Sequence, residues 1–138
     1  MNWGNLLFSF QGRINRAKYW LSFLIWIVAW AVVIAAVIAT KLSVAAIMMV
    51  VILMIPSFIS WIAIGIKRLH DRDKSGWWLL LFYLTPAVMD GIGRASGIGF
   101  IFSLAGFVIS IWAFVELGCL RGTAGQNRYG SDPLAAAA

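Results

Sequence analysis

The sequence predicts an all-α, polytopic membrane protein, a four-transmembrane-helix bundle preceded by an interfacial amphipathic helix. Of its 138 residues, 62% are hydrophobic and only 12% charged, too apolar for water to be the solvent of most of the chain. No charge interrupts residues 19–40, 42–66 or 95–115. Each of these runs has the roughly 20 residues that a helix rising about 1.5 Å per residue needs to cross about 30 Å of hydrocarbon. The 11 Lys and Arg residues gather at the ends of the apolar runs, where a membrane protein keeps them.

Taken in order, Trp3, Leu6, Leu7 and Phe10 fall at i, i+3, i+4 and i+7, the stripe of a short helix lying in the membrane interface, which Gly12 ends. Arg13, Arg16 and Lys18 then lead into a first span of about 19–40. Its apolar run is longer than the roughly 7 to 15 residues of a signal-peptide core, and further spans follow, so a retained anchor is expected. The second span, about 42–66, should kink at Pro56, with Ser57 or Ser60 available to satisfy freed backbone groups.

The third segment, about 75–91, is the shortest: it is charge-free only over 75–89, about 22 Å as a helix. Pro86 and Asp90 sit where a full helix would still be crossing. A span with snorkelling flanks is expected there, with a re-entrant segment as the alternative. Asp90 and Arg94, at i and i+4, can neutralise each other at the outer interface. The last span, about 95–117, carries Gly99, Ser103, Gly106 and Ser110 on one face, a small-residue stripe expected to meet a helix of the same chain or else of a second subunit. Ala113 is placed off that stripe. Residues 1–134 form one membrane domain, and the four alanines at 135–138 read as an uninformative tail or an expression remnant.

Orientation follows from charge. The amino-terminal arm carries three basic residues, the loop at 67–74 four (Lys67, Arg68, Arg72, Lys74) and the tail two (Arg121, Arg128), against Lys41 and Arg94 on the other side. This asymmetry places both termini and the central loop in the cytoplasm. Trp3, Trp20, Trp61, Trp77, Trp78 and Trp112 lie near the same interface, whereas Trp26 and Trp30 are deeper packing groups. The net charge of +6 sits in short loops beside apolar helices, which points to membrane lipids, anionic phospholipid above all, and not to nucleic acid. The single cysteine, Cys119, forms no internal disulfide and reads as a small apolar residue.

Three polar segments stand out. They are GRINRAKYW at 12–20, KRLHDRDKSGWW at 67–78 and GTAGQNRYGSDP at 122–133. With its GRxxRxxYW entry, RLHDxDKSGWW loop and GxxGxNRYGxDP tail in that order, nearly the whole chain resembles the YhaH/YhaI-like family of small bacterial inner-membrane proteins of unknown function. Ser131 stands where that family's tail is expected to have proline. The resemblance implies the bacterial inner membrane and a helical bundle, and brings no catalytic residues or cofactor with it.

Read from the residues themselves, His70, Asp71 and Asp73 are groups that can hold a divalent ion or move a proton. The plainer reading is ion pairing among Lys67, Arg68, Asp71 and Arg72 at a helix end, with no metal site. In the tail, glycines around Asn127 and Arg128 fit either a phosphate cradle or a turn whose arginine pairs with Asp71 or Asp73. The lipid- and phosphate-binding candidates are therefore Arg13, Arg16, Lys18, Arg68 and Arg128, and the polar-cluster candidates His70, Asp71, Asp73, Asn127 and Asp132. All lie at one membrane depth, so the three motifs are expected to meet, with Arg128 touching Asp71 or Asp73 and a headgroup near Arg13 or Arg16. The function this supports is a non-enzymatic module binding lipid or a protein partner, a second copy included. The alternative is an enzyme or carrier for a phosphate-bearing lipid, with His70, Asp71 and Asp73 as its reactive groups.

Overall fold

The structure is a computed structural model that describes residues 2–41 and 43–135; Met1, Leu42 and residues 136–138, most of the alanine tail, lie outside it. It is helical, without strands among the described residues. The short helix α1 (Trp3–Phe8) is capped by the Asn2 side chain, and α2 (Arg16–Ala39) by Asn15, whose carboxamide oxygen accepts from the Lys18 amide at 2.9 Å. Such a cap contributes about 1 kcal/mol by occupying an amide that has no partner inside the helix. Ser43 does the same for α3 (Val44–Asp71).

The charged residues at 67–71, expected in a loop, are helical: α3 runs on through Lys67, Arg68 and His70 to Asp71. Helix continues there because the charges are paired or capping and the first helix breaker comes later, at Asp73 with φ +56°. A second continuous helical run covers 78–96, comprising a π-helical turn (Leu80–Leu84) and α4 (Thr85–Ser96). It extends past Pro86, which sits near the start of α4 where its missing N–H does least harm, and past Asp90, which meets Arg94 at 2.5 Å. Gly97, at φ +70°, then reverses the chain into α5 (Gly99–Phe114), so the last span starts later than the expected residue 95. A π-helical turn (Val115–Cys119) ends it.

Three of these helices are long and apolar enough to cross a membrane: Arg16–Ala39, Val44–Asp71 and Gly99–Cys119. Together with α4 they pack as two pairs. In the first, α2 lies on α3, and Trp26 and Trp30 donate to Ser60 and Ser57 at 2.9 and 3.2 Å. The two serines therefore bind the facing helix, Ser57 also donating to the Leu53 carbonyl, instead of repairing the backbone at Pro56. In the second pair α4 runs antiparallel to α5. A Cβ on Gly106 would lie 3.4 Å from Pro86 Cα, and one on Gly99 would lie 3.1 Å from the Gly93 carbonyl oxygen. Ser103 and Ser110, the other members of the small-residue stripe, are exposed. Ala113, expected off the packed face, is 6% exposed and belongs to the core, because i+7 from Gly106 returns to the same side of the helix.

The two pairs join at one end. There Leu69, Leu79, Phe82, Ala113 and Leu117 form a buried cluster, and a smaller one of Leu6, Ile14 and Ile64 seats α1 against α3. Phe10, counted in the α1 stripe, lies beyond the end of the helix and is exposed.

Candidate functional site

Two helices, α3 and the extension of α5, end side by side at this joined end, and each leaves carbonyls without partners inside the helix. Together with the negative ends of two helix dipoles, they form a region that needs donors and positive charge. The three polar motifs supply both. Arg68, fully buried, donates from Nε to the Leu117 carbonyl at 2.7 Å and from its guanidinium to the Leu120 carbonyl. Trp20 Nε1 donates to the Gly118 carbonyl at 3.0 Å, Arg16 to that of Cys119 at 2.8 Å, and Arg72 to that of Arg121 at 2.7 Å. Every carbonyl from 117 to 121 thus accepts from a side chain of another motif.

The end of α3 is treated alike by backbone and side chains. The Lys67 carbonyl accepts the Ile14 amide, the His70 carbonyl accepts Asn127 Nδ2 at 2.9 Å, and the Asp71 carbonyl accepts both the amide and the hydroxyl of Thr123. Lys67, 2% exposed, points the other way and donates to the Asn5 and Leu6 carbonyls in the last turn of α1.

Asp71 is the centre of the arrangement. One carboxylate oxygen pairs with Arg13 at 3.1 Å and the other with Arg68 at 2.5 Å, in surroundings where all three side chains are at most 4% exposed. Arg13 continues from there to the carbonyls of Thr123 (2.6 Å), Gly125 (2.7 Å) and Gly130 (3.2 Å), and so fastens the amino-terminal arm to the tail. Gly122 lies against this carboxylate: a Cβ there would come 2.0 Å from Asp71 Oδ2, so any side chain would push the carboxylate off its arginines. His70 Nδ1 donates to the Gly12 carbonyl at 3.2 Å, and its ring stacks on Tyr129 with centroids 3.8 Å apart. Arg128 pairs with Asp73 at 3.1 Å in an exposed position.

Glu116 was not a sequence candidate. It is buried and takes both Arg72 and Lys74 at 2.9 Å on one oxygen. A signal was present: it is the one acid at the end of the last apolar run, facing a segment rich in cations.

The predicted site residues therefore divide. Arg13, Arg68, His70, Asp71, Asp73, Asn127 and Arg128 come together. The expectation of headgroup contact at Arg13 and Arg68 gives way, because their side chains are 1% and 0% exposed and hold protein acceptors. Arg16 is exposed and Lys18 half-buried. Asp132 closes the tail turn, accepting the Gly125 and Leu134 amides at 3.0 and 2.9 Å, and these bonds hold its carboxyl below the usual range. Among the described residues, no three His, Cys, Asp or Glu side chains gather as a metal would require.

Beside the motifs lies a half-open cleft of about 620 Å³, lined by Arg16, Trp20, Gly118, Arg121, Asp132 and Leu134 among others. A smaller groove of about 210 Å³, lined by Tyr19, Trp61, Phe82, Tyr83, Ser110, Ala113, Phe114 and Leu117, opens deeper between the helices.

An all-α polytopic membrane protein whose helix ends are tied by side chains from its own arm, central turn and tail is the class this geometry defines. The chain belongs to the family described as protein of unknown function (DUF805), whose model matches residues 7–131. It is similar to the inner membrane protein YhaI of Escherichia coli K12, with 32% identity over 125 residues covering 91% of this chain and 86% of that one. Similar too are the uncharacterized protein YiiR of the same strain, at 31% with 91% and 86% covered, and the inner membrane protein YhaH, at 31% with 91% and 87% covered. No solved structure matches significantly.

Proposed function

We propose that this inner-membrane protein is a non-enzymatic module that binds anionic phospholipid at a polar cap on the cytoplasmic face, with four spans and both termini in the cytoplasm. The observation that carries the reading is the division of labour among the cations. Asp71, Asp73 and Glu116 are already paired, while Arg16 and Arg121 are exposed on the wall of an open cleft at the depth where the helices end. Positive side chains so placed attract anionic headgroups, each by about 1 kcal/mol.

Four crossings are favoured by the packing. Both α3 and the α5 extension end at the polar cap, and the run 78–96 lies antiparallel to α5, with Trp78 and Phe82 against Trp112, Pro86 against Gly106 and Gly93 against Gly99. A segment paired along the length of a spanning helix traverses the same depth, and Asp90 with Arg94 then falls at the far interface. The enzymatic alternative loses support from the same contacts. Both oxygens of Asp71 hold arginines, and His70 is engaged by Gly12 and Tyr129. The Asp71 carboxylate is therefore not free to move a substrate proton.

The test is lipid retention by the purified protein, read by native mass spectrometry after exchange into mixed phosphatidylglycerol and phosphatidylcholine. Preferential retention of phosphatidylglycerol is expected, falling roughly ten- to thirtyfold in Arg16→Ala/Arg121→Ala. Equal retention of both lipids overturns the reading. A reporter fused after Asp132 should be cytoplasmic; a periplasmic signal sinks the four-span topology.

A further inference from the structure

The polar cleft and the aromatic groove lie on the two sides of one contact. Trp20 lines the cleft, is fixed by its bond to the Gly118 carbonyl, and meets Phe114 edge-on with ring centroids 5.9 Å apart. Phe114 in turn lines the groove, as do Tyr19, next in sequence to Trp20, and Leu117, next to Gly118. Along the last helix, Ser110 lies about 12 Å deeper than Gly118 and Phe114 about 6 Å deeper. The order from the polar cap inward is therefore cations, then an aromatic ridge, then a recess lined by Tyr19, Tyr83 and Ser110 among apolar groups. This is the order of parts in an amphiphile lying in the bilayer: phosphate, ester-bearing glycerol, acyl chain.

We infer that the cleft and the groove are one site for a single anionic glycerophospholipid, its phosphate between Arg16 and Arg121 and one acyl chain crossing the Trp20–Phe114 ridge into the groove. This rests on the lipid-binding reading and adds that the chain is recognised as well as the charge. The charged cleft favours a phosphate and the recess an apolar chain. Asp71 and Asp132 both line the cleft; Asp71 is neutralised by Arg13 and Arg68, whereas Asp132 opposes the anion and weakens the phosphate end.

The experiment uses the full chain in detergent with long-chain phosphatidylglycerol, and with glycerol 3-phosphate as a competitor that has the headgroup chemistry without chains. Retention of phosphatidylglycerol should resist millimolar glycerol 3-phosphate. It should fall at least about fivefold in Ser110→Trp, which fills the groove from an exposed position, and rise severalfold in Asp132→Asn, which removes the opposing charge. Since Ser110→Trp can also disturb folding, phosphatidylglycerol carrying a photoactivatable group on one acyl chain is cross-linked to the unmodified protein. Labels should concentrate at Tyr83 and residues 110–117. Labelling spread evenly over all lipid-facing helices, with undiminished retention in Ser110→Trp, overturns the single-site inference while headgroup binding stands. Undiminished retention in Arg16→Ala/Arg121→Ala removes the headgroup reading itself.

Discussion

The two ends of this molecule are held together by different physics. At the polar cap, arginines, indole and amide groups reach across long sequence separations to backbone carbonyls, and Asp71 holds two buried guanidinium groups. Away from the cap, α2 on α3 and α4 on α5 rely on close approach at Gly99 and Gly106 and on two indole-to-serine bonds. The difference reflects the solvent. In hydrocarbon, apolar side chains gain nothing by leaving lipid for one another, so packing and a few hydrogen bonds must suffice. At the interface, orphan helix carbonyls and excess positive charge need each other, and a network forms.

The comparison breaks most visibly at Asp71. Asp71→Ala leaves Arg13 and Arg68 buried without their counter-ion, a loss expected to cost about 3–5 kcal/mol. Thermal melts in detergent should show it as the largest single change, with the tail becoming accessible to protease. A melt unchanged from the parent protein would mean that carbonyl bonds alone hold the cap.

The apolar end should respond less, and through volume. Gly106→Leu is expected to destabilise by about 1–3 kcal/mol, because its side chain has to displace Pro86. Ala113→Leu should cost a similar amount in the buried core, while Ser103→Leu, exposed on the same helix, should be close to neutral. Equal melts for Gly106→Leu and Ser103→Leu would show that α4 and α5 do not depend on this contact.

Smallest is the pair Arg128 and Asp73, whose side chains are 62% and 45% exposed. A double-mutant cycle should give a coupling of about 0.2–1 kcal/mol that shrinks with added salt. Coupling as large as the effect of Asp71→Ala would place this pair inside the buried network, contrary to its exposure.

By itself the sequence determined the class of fold and the approximate course of the apolar helices, since charge-free runs of membrane-spanning length need no tertiary information to be read. It also indicated that Arg128 has a carboxylate near it, because the motifs share one depth. Other features were decided only in three dimensions. That α3 continues through Asp71 depends on the arm and tail capping its end. That Arg13 and Arg68 are interior groups and not lipid contacts depends on where the Thr123 and Leu117 carbonyls arrive. The role of Glu116 needed Arg72 and Lys74 brought across from another helix end. A one-dimensional pattern records how apolar a segment is, and the bilayer acts on that quantity directly. Which carbonyl an arginine meets depends on how two helix ends converge, and no local property of the chain encodes that.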